Sequence, residues 1–452
     1  SYDWPCHIKT KIMLDTKKIF LKKKILIYGL GKSGYSCYYF LRKNNFISIY
    51  DDKKNLVKDK KIKKLFIKLK NIRKDCFDFI IISPGIDINK CSLKNFLKRN
   101  SSKIITDLDV FYTNYFNNKN IAITGTNGKS TTAKLLFNIL KNHKKDTRLV
   151  GNIGNPILAE KKITSKTIFV VEVSSYQIAY SKIFRSNYAL ILNISPDHLE
   201  RHGTFINYVK SKFKLFKDQT KNDYAIFNTK NKYLKKEIRR NKIKSRILNV
   251  NLNLINQHKT KIKNPYFFTD GNKENLSFIF AISKILKLKK NKIIQSINNF
   301  EGLKYRQEII YKSKKITLIN DSKATSYSSS LSILKSLKNV FWLVGGIPKK
   351  GDKFLLSKKK CLTFKAYIFG KNKNYFIKQL KDKISFQGFK NLEAALKKII
   401  LDIKLKKSTA HKTILFSPSA ASFDNYKNFE DRGEKFNNLV KKLKIKKLNY
   451  VQ

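Results

Sequence analysis

The segment Ile121-Ala-Ile-Thr-Gly-Thr-Asn-Gly-Lys-Ser-Thr-Thr-Ala-Lys134 constrains the fold of this chain more than any other. An apolar strand runs into a loop bounded by Gly125 and Gly128. Lys129 and the hydroxyl triplet Ser130 to Thr132 then open an amphipathic helix. A strand, a glycine loop and a helix in this order form a phosphate cradle. Backbone N–H groups and the positive helix end face the phosphates, the lysine neutralises them, and a hydroxyl reaches a metal ion. Ile123 stands where the common spacing has glycine, so the loop is a shortened variant. The plain alternative is an ordinary glycine-rich turn between strand and helix.

With 452 residues, the chain is too long for one core, and 42% hydrophobic residues are enough to bury two to four. The 97 basic residues exceed the 31 acidic ones by 66 charges. Such a balance suggests a nucleic-acid partner. Here, however, the lysines spread along the whole chain together with an excess of Ile, Asn, Phe and Tyr, as a bias toward A/T-rich codons would produce. The charge therefore implies no specific nucleic acid, though it attracts anionic substrates. Five cysteines form no CxxC pair and read as reduced thiols. No apolar run reaches membrane-spanning length, and the expected location is cytoplasmic. Residues 1–12, ahead of the sole methionine Met13, are set aside as a tag, a misassigned start or a disordered leader.

Strands rich in Ile, Val and Phe alternate with lysine-faced helices, which argues for parallel α/β sheets. Three blocks emerge. The first holds KILIYGLGKSG, FISIYDD, FDFIIISPGI and KIITDLDVF. The second starts at the phosphate loop and holds IFVVEVSSYQI, YALILNIS and DYAIFNTKN. The third starts near Gly302 and holds ITLINDSKAT, NVFWLVGG, AYIFG and TILFSPSAAS. The strands end in Gly, Ser, Asp or Asn, as where ligands sit at the carboxyl ends of a parallel sheet. Irregular surface structure is expected from Lys230 to Pro265, which is rich in Lys and Asn.

Further polar groups cluster at these strand ends. Gly29, Gly31, Lys32, Ser33 and Gly34 follow the first strand, and Asp51 and Asp52 end the second, close to a dinucleotide fingerprint with an acid placed for a ribose. A purely structural turn fits the same residues. Glu172, Asp197 and His198 end strands of the second block, an arrangement suited to Mg²⁺ on nucleotide phosphates. A satisfied buried histidine and a capping aspartate are the simpler readings of either residue alone. In the third block, Asn320 to Thr325, Gly345-Gly346 with Lys349, and Ser417 to Asp424 with Asn428 to Gly433 end three strands. They form either an anion pocket or solvated loops.

These motifs in this order resemble the Mur ligases, over essentially all of the chain from Met13 onward. The likeness rests on GLGKSG, SPGI, TGTNGKSTT, GNIGNP, EVSSYQ, SPDHLERHG, GLKYRQE, NDSKAT and SPSAASFDNYKNFEDRG. The last two resemble the D-glutamate-adding branch. The resemblance implies an α/β protein of three domains: a Rossmann-like N-terminal domain for the UDP moiety (13–107), a central P-loop ATPase domain (108–302), and a C-terminal Rossmann-like amino-acid-binding domain (303–452). It implies ATP and Mg²⁺ as cofactors. By motif matching, Gly125, Thr126, Asn127, Gly128, Lys129, Ser130 and Thr131 would hold ATP, with Asn275, Arg306 and Asp321. Ser130, Glu172, His198 and a carbamylated Lys212 would serve the metal. Gly31, Lys32, Ser33, Asp51, Asn152 and His198 would meet the UDP-sugar, and Thr325, Lys349, Ser422 and Phe429 the D-glutamate. Lys129, Glu172, His198, Lys212 and Lys323 would form the catalytic set.

The implied reaction joins D-glutamate to UDP-N-acetylmuramoyl-L-alanine through an acyl phosphate, in peptidoglycan precursor synthesis, by a monomer that needs no membrane or nucleic acid. Three rivals remain: another amino-acid ligase of the same fold, such as a folylpolyglutamate synthase; a basic nucleic-acid-binding NTPase; and a non-catalytic relative.

Overall fold

A computed structural model describes residues 19–53, 59–72, 76–258, 260–349, 351–405 and 409–445. Residues 1–12, set aside above, lie outside these. The chain divides into two compact units. One runs through Leu254 and includes Ser277–Ser296, and the other takes Ile255–Leu276 and everything from Ile297.

The first unit holds two sheets. Strands β1 (Lys24–Tyr28), β2 (Phe46–Tyr50), β3 (Phe79–Ile82) and β4 (Ile104–Ile105) pair in the order β2-β1-β3-β4, all parallel. The second sheet contains β5 (Asn120–Thr124), β6 (Thr147–Gly151), β7 (Ile168–Glu172), β8 (Tyr188–Ile191), β9 (Tyr224–Phe227) and β10 (Arg246–Asn249). Its order is β10-β9-β8-β5-β7-β6, again parallel throughout. Central β5 is buried along its whole length, as a strand covered by helices on both faces must be. Ala122, Val171, Ala189 and Ala225 carry the core across the sheet to Phe216 and Phe169.

The second unit has one sheet, formed by β11 (Glu308–Lys312), β12 (Ile316–Asn320), β13 (Val340–Val344), β14 (Phe364–Phe369), β15 (Ser385–Phe389) and β16 (Lys412–Phe416), in the order β11-β12-β16-β13-β14-β15. All neighbours are parallel except β11, which pairs antiparallel with β12 and corrects the all-parallel expectation. A short return through Ser313 joins these two strands, too short for a crossover helix. Trp342 is fully buried on one face and Phe416 on the other.

Where irregular structure was expected from Lys230 to Pro265, the described residues up to Asn249 form a helix and a strand. Asn231 caps a helix, Lys232–Arg240, by accepting Tyr233 N and Leu234 N, and β10 follows. Only Leu234 and Glu237 of that helix are buried, so its apolar stripe is too narrow to stand out among the lysines. Among the described residues, Cys37 and Cys361 are buried free thiols and Cys76 is exposed. Among the same residues, no helix is long and apolar enough to cross a membrane.

Candidate active site

The phosphate loop has the expected construction. β5 ends at Thr124, and the helix Lys129–Asn142 starts directly after Gly128, whose φ of +82° a residue with a side chain adopts only with strain. Ser130 and Thr131 lie buried in the first turn. The loop is braced from β8. Thr126 N donates to Asn193 O at 3.0 Å, and Asn127 N to Asn193 Oδ1 at 2.8 Å. Thr126 Oγ1 meets Tyr208 Oη at 3.0 Å and accepts Ser195 N at 3.0 Å. Lys129 Nζ lies over the loop, donating to Gly125 O at 2.9 Å and Thr126 O at 3.0 Å.

A second lysine reaches the same loop from the helix Phe205–Lys217. Lys212 is 1% exposed, and its Nζ donates to Gly125 O at 3.0 Å and Thr124 Oγ1 at 3.2 Å. It also lies 4.7 Å from the centre of the Tyr208 ring, one helical turn away. Burial, followed by the Lys129 ammonium, pushes the Lys212 amine well below its ordinary range, while Asp197 and Glu172 act in the opposite sense. The structure thus brings Lys129, Lys212, Glu172 and Asp197 within electrostatic reach of one loop. His198 sits at φ +55° with its ring 3.4 Å from Asp197 and 3.5 Å from Glu200.

Glu172 ends β7, buried, and its Oε2 has no hydrogen-bond partner among the described residues. A buried carboxylate oxygen without a donor is expensive unless a cation meets it, so the residues present fit a divalent metal. Among the described residues, no group of three or more His, Cys, Asp or Glu could hold a metal by itself. Asn152 N donates to Glu172 O at 3.0 Å, which joins the GNIGNP turn to this strand end.

The first glycine loop, after β1, is built differently. Gly29 has φ +91°, and a Cβ on Gly34 would lie 2.0 Å from Gly29 O, so the helix Lys32–Leu41 presses directly on the turn. Asp51 Oδ2 accepts Leu30 N at 2.6 Å and its Oδ1 accepts Lys53 N at 2.7 Å. Asp52 accepts Tyr28 Oη and Ser92 Oγ, both at 2.6 Å. Ser33 donates to the buried Asp107, and Lys32 is exposed. Arg201, from SPDHLERHG, donates to Pro84 O at 3.3 Å and to Ile86 O, tying that motif to SPGI.

In the second unit the three strand-end motifs do come together. Ile347, after the Gly345-Gly346 pair, exchanges backbone hydrogen bonds with Ala421 at 3.0 and 2.9 Å. The fully buried Arg432 donates to Ala420 O at 2.9 Å, to Ser322 O at 2.6 Å and to Ser322 Oγ at 3.1 Å, clamping NDSKAT to SPSAAS from below. Ser322 Oγ donates to Phe429 O at 2.8 Å, and Lys323 Nζ stands 4.1 Å from the Phe429 ring centre, with Arg306 at 5.7 Å. Asp321 accepts Gln307 N at 3.0 Å and Ser417 Oγ at 2.8 Å, and burial pushes its carboxyl up to about 7. Ser422 is buried, Thr325 and Lys349 half-buried. Asn275 is buried with Oδ1 unpartnered among the described residues.

The chain matches the model of the Mur ligase middle domain over residues 123–299 and that of the MurD-like N-terminal domain of Mur ligases over residues 23–105. It is 35% identical over 447 residues to a UDP-N-acetylmuramoylalanine–D-glutamate ligase from Rickettsia prowazekii, covering 94% of this chain and 99% of that one. The chain belongs to the Mur ligase family. A ligase of the same name from Francisella tularensis subsp. novicida is also 35% identical, over 94% of this chain and 97% of its own length. Two solved Mur ligases share the fold. MurF from Thermotoga maritima, in complex with ADP, has a TM-score of 0.55 at 16% identity, covering 95% of this chain and 96% of its own. MurC from the same organism has a TM-score of 0.52 at 14% identity, covering 93% and 99%.

Several groups in this Mur ligase have partners that the motifs did not reveal. Tyr208, Asn193 and Thr124 shape the phosphate loop, Asp107 and Gln177 stand behind the first one, and Arg432 locks the third-block loops. Thr124, Gln177 and Arg432 lie inside quoted motifs, yet nothing in sequence showed what they bond; for Tyr208 the signal was its spacing of four from Lys212.

Proposed function

We propose that this Mur ligase joins D-glutamate to UDP-N-acetylmuramoyl-L-alanine at the expense of ATP, as the names of its relatives describe for them. The observation that carries the reading is the phosphate loop with two lysines, one of them buried, converging on Gly125 O. We assign the UDP moiety to residues 13–107, ATP to 108–302 and the amino acid to 303–452, in keeping with three separate sheets. We place the reaction in the cytoplasm, where ATP and UDP-sugars are available.

Joining a carboxylate to an amine in water is uphill without activation. A substrate carboxylate oxygen attacks the γ-phosphorus of ATP, and the bond to the ADP oxygen breaks. The amine nitrogen of D-glutamate then attacks the acyl carbon, phosphate leaves with its bonding electrons, and the nitrogen sheds a proton. Lys129 and the amides at the start of its helix are set to stabilise charge on the transferring phosphoryl group. In the second unit, Lys349 pairs with a D-glutamate carboxylate, Thr325 and Ser422 supply hydroxyls, and Phe429 with Lys323 forms one wall.

Mg²⁺, when bound, would screen the phosphate oxygens, held by Glu172, Ser130 and His198 with Lys212. A lysine ammonium would repel it. Burial and then the Lys129 ammonium push the Lys212 amine well below its ordinary range, and its uncharged fraction would be a nucleophile toward CO₂. Its nitrogen bonds the carbon, one C–O π pair of CO₂ moves onto oxygen, a proton leaves the nitrogen, and a neutral amine becomes a carbamate anion.

Phosphate release from ATP and Mg²⁺ with UDP-N-acetylmuramoyl-L-alanine, each amino acid added in turn, tests the reading. D-glutamate alone should drive turnover. Turnover with another amino acid instead, or with a folate acceptor, would overturn it.

A further inference from the structure

The helix Asp107–Tyr115 begins with an acid that the reaction above leaves unused. Asp107 is 3% exposed, and its Oδ2 accepts the hydroxyl of Ser33 in the first glycine loop. Its Oδ1 accepts Gln177 Nε2 at 3.2 Å. Gln177 in turn accepts Ser174 N at 3.1 Å, two residues beyond Glu172. The strongest influences on the Asp107 carboxyl are burial, Ser33, Gln177, the backbone N–H of Leu108 and the Asp109 carboxylate, and none is a cation. On the facing helix, Lys32–Leu41, the buried Cys37 thiol is pushed up by burial and by Asp107. Lys182, from the segment packed on the other side, answers to Asp109. Burial accordingly holds the Asp107 carboxyl above the usual carboxylate range.

The hydrogen-bond polarity of Ser33 depends on this acid. A hydroxyl has one hydrogen to give. While Ser33 gives it to an ionised Asp107, only oxygen lone pairs face a ligand in the loop, and they repel a phosphate oxygen. Once Asp107 is protonated, its own O–H donates to Ser33 Oγ, the Ser33 hydrogen turns to the ligand, and the negative charge under the loop is gone.

We propose that Asp107 is a positioning residue for the nucleotide-sugar: its proton turns Ser33 into a donor to the diphosphate, so that substrate binding takes up a proton. This rests on the assignment of the first glycine loop to the UDP moiety. The proton goes to an Asp107 carboxylate oxygen from solvent, and no covalent bond of the substrate changes.

Calorimetric titration of UDP-N-acetylmuramoyl-L-alanine into the full chain, in buffers of different ionisation enthalpy and across a pH series, tests it. Wild-type protein should take up more protons on binding than Asp107→Asn, and its Kd should weaken by up to tenfold per pH unit on the alkaline side. The side-chain amide of that variant donates to Ser33 at every pH, so this part of the uptake and of the slope should vanish there. Equal uptake in the two proteins would overturn the proposal. Should Asp107→Asn fail to fold, Ser33→Ala reads the same quantity: uptake retained without the hydroxyl overturns the proposal, and uptake lost supports it. If the wild-type protein bound no nucleotide-sugar at all, the functional assignment beneath the proposal would fall instead.

Discussion

The two glycine-rich turns of the first unit share a plan and differ in what stands behind them. Each follows a buried parallel strand and opens a helix. The turn after β5 has two lysine side chains bonded to its own carbonyls, the Lys129 ammonium and the buried Lys212 amine. The turn after β1 is backed by acids: Asp51 holds Leu30 N, and Asp107 holds Ser33. The same glycine signature thus serves two electrostatic tasks. The cationic turn suits transferring phosphate, where charge develops. The acid-backed turn, once Asp107 holds a proton, would suit a diphosphate that is recognised but left intact. Glycine gives the shape, and residues remote in sequence give the sign.

Breaking the cationic turn should have the largest effect. Lys129→Ala is expected to lower kcat on the order of 10²–10³-fold or more while leaving the melting temperature within a few degrees, by phosphate release and calorimetry. Retention of a tenth of the activity would erase the distinction between the turns. Lys212→Ala should be nearly as damaging but partly rescued by acetate, which supplies the anion the carbamate would have provided. No rescue at any acetate concentration, with an unmodified amine at Lys212 in active protein, would remove the carbamate.

The second-unit loops proposed for the amino acid come next. Lys349 is half-buried and the bound amino acid would cover it; losing a charged partner so enclosed costs about 2–5 kcal/mol, so Lys349→Ala should raise the KM for D-glutamate roughly 30-fold or more and leave that for ATP unchanged. Equal rises in both would sink the assignment.

The acid-backed turn should respond in stability rather than in rate. A Cβ at Gly34 meets Gly29 O at 2.0 Å, whereas one at Gly31 meets nothing within 4 Å. Gly34→Ala should therefore destabilise by about 1–3 kcal/mol in urea unfolding, and Gly31→Ala hardly at all. The smallest expected effect concerns Asp321. Its folded carboxyl, near 7, lies above the unfolded value near 3.8, so the folded state holds the proton longer. Its stabilising contribution is complete below about 4 and is lost as pH rises toward 7. Asp321→Asn should flatten that decline, changing the melting-temperature difference between pH 4 and 7 by roughly 2–4 °C. An unchanged pH profile would show that Asp321 is already ionised.

What the sequence disclosed follows from burial. Every strand singled out in advance was found, and those overlooked, β6, β10, β11 and β15, are all sheet edges. Arg246–Asn249 and Ser385–Phe389 are largely exposed, so neither a continuous apolar run nor a strict alternation marked them. The phosphate loop was legible because its strand, glycines, lysine and helix are contiguous. Asp107 was not, because Ser33 lies 74 positions away, nor was the seat of Lys212, 88 positions from Thr124. Side-chain partnerships at such separations leave no local pattern.

The mutual bonds of Ile347 and Ala421 and the guanidinium beneath them have a kinetic consequence. Loops so fastened cannot open one at a time. The amide hydrogens of Ile347 and Ala421 should exchange with deuterated solvent as slowly as those of β13 and β16, and both at one common rate. Selectivity for the incoming amino acid would then reside in a surface as stiff as the sheet that bears it.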